Sequence, residues 1–91
     1  MKILSTELYE SQLKDILEKY FQDDFNGAKK FKIYLDTLII NIPTKIKKYK
    51  QSLLFEDENI KEVDYENFKV LFYHDTENSH FVILSIVSKY T

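Results

Sequence analysis

The sequence predicts an α+β domain in which a helical hairpin packs on a small twisted antiparallel sheet, in the order β-α-α-β-β-β. Three observations carry that expectation. Apolar residues in 13–42 recur at the three- and four-residue steps of helices, residues beyond 59 follow the two-residue step of strands, and Pro43 ends the helical regime. Ninety-one residues make one domain with one core, assigned to residues 1–91. A 44% hydrophobic fraction with seven Phe and seven Tyr supplies that core, because each ring buries a large area. One Gly and one Pro are too few for a disordered or linker-rich chain.

Residues 1–4 alternate apolar and polar and are expected as an initial strand. Ser5 or Thr6 then caps a helix whose first turn holds Glu7 and Glu10, where the helix dipole favours acids. Leu13, Ile16, Leu17, Tyr20 and Phe21 give that helix one apolar face. Asp23, Asp24 and Asn26-Gly27 interrupt it, and Asp24 or Asn26 caps a second helix over residues 27–41. Ala28, Phe31, Leu35, Leu38 and Ile42 form the hairpin seam. Ile33, Tyr34, Ile39 and Ile40 lie outside that seam, so the second helix is expected to meet its partner helix and either the sheet or another chain. After Pro43, residues 60–67 read as a ragged strand, 68–73 (FKVLFY) as a central one and 80–87 (HFVILSIV) as a third. Residues 75–79 form a hairpin loop of four or five residues.

Composition narrows the functional classes. There is no Cys, which excludes a disulfide framework and a thiolate metal site. No apolar run approaches the ~20 residues of a membrane span, and the first residues lack a signal-peptide core, so a cytoplasmic location is expected. The net charge of −2 conceals segregation. Residues 29–50 carry seven Lys against one Asp, whereas residues 56–66 carry six acids against one Lys. All thirteen basic residues are Lys, so the bidentate phosphate clamp that Arg provides is missing.

His74 and His80 flank the hairpin turn without a third ligand at metal-binding spacing, and neither a metal nor a cofactor is expected. Glu56-Asp57-Glu58 reads as a solvated turn rather than a catalytic carboxylate pair. Lys45, Lys47, Lys48 and Lys50 surround Tyr49, a pattern that either tracks phosphates while the ring stacks a base or is a solvated basic connection. Lys69 is the lone charge inside FKVLFY, and Lys89-Tyr90 follow the apolar strand 80–87. Pairing the last two strands through the 75–79 turn sets Lys69 opposite Ser85, so that Lys69, Lys89 and Lys61 line one sheet face. Such a row can stabilise charge on a phosphate, with Tyr90 assisting proton transfer. The alternative is a polar sheet face with no chemistry.

The helical hairpin ending at INIP, the KYKQS segment, the FEDENIKE turn and strand, FKVLFY and the terminal SKY occur in an order that resembles the RelE/ParE toxins of type II toxin–antitoxin modules. The resemblance spans nearly the whole chain. It implies a growth-arresting toxin, restrained in a hetero-oligomer by an antitoxin whose extended or helical segment wraps the fold; Ile33, Tyr34 and Ile40 are compatible with docking of such a helix or with contact to this chain's own sheet. For RelE-like members it implies ribosome-dependent cleavage of messenger RNA, with Lys61, Lys69, Lys89 and Tyr90 at the catalytic positions. For ParE-like members it implies inhibition of DNA gyrase without chemistry. A degenerate toxin that only binds its antitoxin is the third expectation.

Overall fold

The structure, a computed structural model, describes residues 2–52 and 55–89. Its elements are β1 (Lys2–Ser5), α1 (Glu7–Tyr20), α2 (Phe25–Ile40), a 3-10 segment (Pro43–Lys48), β2 (Lys50–Gln51), β3 (Ile60–Tyr65), β4 (Phe68–Asp75) and β5 (His80–Ser88). The strands form one sheet in the order β1-β5-β4-β3-β2, and the two helices cover one of its faces.

That helix-facing side is the core. Leu13 and Ile16 of α1, Phe31, Leu35 and Ile39 of α2, and Ile42 beyond it meet Val63, Phe68, Val70, Phe72, Phe81, Ile83 and Ile86 of the sheet. Phe72 and Phe81 are fully buried, and burial of each ring is worth roughly 1.5–3 kcal/mol. Phe31 is the hub of an aromatic cluster, with the rings of Phe21, Tyr65 and Phe68 at 5.0–5.8 Å. Of the four α2 residues outside the seam, Ile39 is buried in the core, whereas Ile33, Tyr34 and Ile40 are 50%, 63% and 67% exposed.

Local chemistry fixes the helix ends. Thr6 caps α1: its hydroxyl accepts the Tyr9 N–H at 3.0 Å and donates to the Leu84 carbonyl at 2.7 Å. The Thr6 N–H reaches the Ile83 carbonyl at 3.1 Å, and Gln12 accepts the Ile86 N–H at 2.9 Å. Asp24 caps α2 by accepting the Gly27 N–H at 2.8 Å. A Cβ at residue 27 would run into the Asp24 carboxylate, so any larger residue there displaces the capping side chain.

Three features differ from the expected pattern. The sheet is mixed, because β1 pairs in parallel with β5 (Lys2 opposite His80, Ser5 opposite Ile83), while the other pairs are antiparallel. An alternating pattern identifies a strand but not its direction. The basic connection after Pro43 is ordered, since Ile46 and Tyr49 turn inward onto the core and lead into the short β2. Finally, β5 carries a bulge: Leu71 pairs with Ser85 and Phe72 with Ile83, which leaves Leu84 as an extra residue. The bulged carbonyl is the one that Thr6 binds.

Candidate functional site

Turn geometry decides which charges meet. Tyr65 pairs with Phe68, so β3 and β4 are joined by the two-residue turn Glu66-Asn67, with Glu66 at a positive φ of 52°. This turn sets Asp64 opposite Lys69 and Glu62 opposite Leu71 on the open side of the sheet. It also sets Lys61 opposite Phe72, on the helix-facing side. The expected row of Lys61, Lys69 and Lys89 is therefore corrected, because Lys61 lies on the opposite face from the other two.

The β4–β5 register is also displaced from the expected one. Asp75 pairs with His80 across the hairpin loop, and the Leu84 bulge adds a residue, so Lys69 stands opposite Val87 rather than Ser85. The displacement is two residues, an even number, and Lys69 keeps the same face as Val87 and Lys89. Lys89 is held there by its N–H bond to the Asn67 carbonyl at 2.9 Å.

Neither lysine stands free. Lys69 Nζ donates to Glu62 Oε1 at 3.0 Å, and Lys89 Nζ lies 3.5 Å from Asp64 Oδ2. The Glu62 side chain is only 14% exposed, wedged between its neighbours on β2 and β4. The hydrogen bond to Glu62 holds the Lys69 pKa above the ordinary lysine value, with the attraction of Glu62 and then of Asp64 adding to it and burial opposing it. Lys50 of β2 stands directly across from Glu62 on the same face. Lys50, Lys69 and Lys89 thus share this face with Glu62 and Asp64, and Leu71, 1% exposed, forms its floor. The carboxylates were not among the expected site residues, and Lys50 was expected with the basic cluster around Tyr49 rather than on this sheet face. Their signal was the alternation of Glu62 and Asp64, which becomes readable only once the two-residue turn is known.

The basic cluster divides. Lys45, Lys47 and Lys48 are exposed on the 3-10 segment, whereas Lys50 joins the sheet face. The Tyr49 ring is half-buried with its edge on Phe72 at 5.8 Å, and burial pushes its phenol pKa up. It packs inward instead of offering the stacking platform expected of it. Tyr90 lies outside the described residues. Glu56, Asp57 and Glu58 are exposed, as expected of a solvated turn. His74 stacks on Phe81 with ring centroids 4.4 Å apart, and among the described residues no group of three His, Asp or Glu is placed to hold a metal ion. On the helix side, a groove of 570 Å³ runs between Tyr20, Phe31, Tyr34, Tyr65 and Phe68, with Lys30 and Glu66 among its lining residues. No described helix is long and apolar enough to cross a membrane.

This arrangement of two helices on a five-stranded mixed sheet is a RelE/ParE-like fold, and it recurs in solved toxin–antitoxin structures. A chain of the toxin–antitoxin complex RelBE2 from Mycobacterium tuberculosis matches with a TM-score of 0.70 at 11% identity, covering 97% of this chain and 96% of that one. A chain of the chromosomal ParDE TA system from P. aeruginosa matches with a TM-score of 0.75 at 15% identity, covering 97% of this chain and 95% of that one. At these identities the likeness is one of fold. No family model and no curated protein matches the sequence.

Proposed function

We propose that this protein is the toxin of a type II toxin–antitoxin module and arrests growth in the cytoplasm by binding a protein target, as ParE-like toxins bind DNA gyrase, unless an antitoxin covers it. The toxin role is supported by a fold that extends over 97% of the chain in both a RelBE2 and a ParDE structure. The choice of a binding mechanism is carried by one observation: Lys69 and Lys89 are engaged by Glu62 and Asp64. A phosphate-cleaving site needs cations aimed at the charge that develops in the transition state, and these cations face carboxylates of their own chain. The exposed Ile33, Tyr34 and Ile40 on α2 supply an apolar face for the antitoxin helix.

The ribosome-dependent ribonuclease remains the second reading, since Lys69 and Lys89 do share one face. Controlled expression with parallel assays of growth, transcript integrity, translation and DNA supercoiling separates the readings. Growth arrest with intact transcripts, retained by the Lys69→Ala variant, is the expected result. Transcript cleavage that disappears in Lys69→Ala establishes the ribonuclease instead. Harmless expression of the free protein identifies a degenerate, antitoxin-binding module.

A further inference from the structure

We propose that Glu62 and Asp64 are the residues that close the open face of the sheet to nucleic-acid phosphates, and that without them Lys50, Lys69 and Lys89 form a phosphate-binding track. The inference deepens the non-cleaving reading of this face and rests on it.

The argument is one of competition for the same ammonium groups. Glu62 already accepts from Lys69 at 3.0 Å, and Asp64 sits 3.5 Å from Lys89. These carboxylates are tethered on β3, whereas a phosphate must arrive from dilute solution and displace them. They also repel it. Among these five groups three cations against two carboxylates leave one net positive charge, and neutralising both carboxylates raises this to three. Position matters as well as sum. Lys50 and Lys69 flank Glu62 from β2 and β4, and Lys89 closes the row at the far end beside Asp64. Lys69 and Lys89 come from adjacent strands ~5 Å apart, and Lys50 stands two strand spacings from Lys69, roughly 10 Å, across β3, so the three form a row that one nucleic-acid backbone can follow.

The test is the binding of a fluorescein-labelled single-stranded oligouridylate, titrated at several salt concentrations. The Glu62→Gln/Asp64→Asn double variant keeps side-chain size and is expected to bind about tenfold more tightly than the original protein at low salt. Its plot of log K against log salt should steepen by about 1.4, or about 0.7 for each of the two lysines released. Glu56→Gln/Glu58→Gln makes the same charge change on the exposed acidic turn and is expected to change affinity less than about twofold, because exposed distant charges are screened. Adding Lys69→Ala to the sheet-face double variant should remove most of the gain. The inference is overturned if the double variant gains nothing, if the acidic-turn variant gains equally, or if the gain survives Lys69→Ala. Should the double variant fail to fold, Asp64→Asn alone, at a side chain that is 62% exposed, must still steepen the slope by about 0.7. The growth assays are independent of this measurement: transcript cleavage by the original protein would sink the proposed mechanism, whereas only the titrations decide the role of the carboxylates.

Discussion

The helix-facing and open sides of the sheet are made from alternate residues of the same strands, yet they follow different physics. On the helix-facing side Val63, Phe68, Val70, Phe72, Phe81, Ile83 and Ile86 are all at most 8% exposed and packed against α1 and α2. That side holds the fold together by apolar burial, which is non-directional and large. The open side brings Glu62, Asp64, Lys69 and Lys89 together in ion pairs that keep contact with solvent, contribute little net stability and fix a pattern of charge. A strand period of two thus separates what keeps the chain folded from the pattern of charge that the open face presents. Changes on the first side should move stability, and changes on the second should move binding.

The strongest challenge to that division is Phe72→Ala. The ring is fully buried between Tyr49 and Phe81, and its loss should cost about 3–5 kcal/mol in urea denaturation. A loss under 1 kcal/mol would mean that the helix-facing side is not the stabilising one. Thr6→Ala comes next. It removes the cap on Tyr9 N–H and the bond to the bulged Leu84 carbonyl, and about 1–2 kcal/mol should be lost, with faster amide exchange in the first turn of α1. Tyr9→Phe has the opposite sign. The Tyr9 hydroxyl is buried on the apolar side with no hydrogen-bond partner among the described residues, and burial first, then Asp36 and Glu10, push its pKa up. Removing it should leave stability unchanged or raise it by up to about 1 kcal/mol, and a clear loss would reveal a partner for the hydroxyl.

The smallest effect belongs to the open side. Because the folded-state pKa of Lys69 is raised above its ordinary value of 10.5, its pair with Glu62 is fully present at neutral pH and is lost as pH rises through the folded value. The stability difference between the original protein and Lys69→Met should therefore be flat through neutral pH and shrink only above about pH 10.5. A difference that vanished near pH 7 would contradict the ion pair.

The helices were legible because Leu13, Ile16, Phe31 and Leu35 repeat at helical spacing and are buried where that spacing places them. The 68–75 and 80–88 strands were legible as β-branched and aromatic runs around a turn-forming segment. The site was less so. Lys61 was assigned to the wrong face because strand parity depends on a two-residue turn at Glu66, and glutamate seldom takes the positive φ that such a turn needs. The bulge at Leu84 lies where apolar residues occupy both strand faces from 81 to 84, so the extra residue breaks no readable alternation. Lys50 sits in a strand of two residues, too short for any period to reveal. Glu62 and Asp64 were read as ordinary strand acids because their partners come from other strands.

The bond from Thr6 to the bulged Leu84 carbonyl spans 78 residues of chain. Closing so long a loop costs entropy before any contact repays it, and among the described residues β1 pairs with β5 alone. During synthesis α1 therefore waits with its cap incomplete and its Gln12 contact unmade until β5 has left the ribosome. The sheet as a finished surface comes into being late, only after its last strand, more than 70 residues beyond β1, has been made.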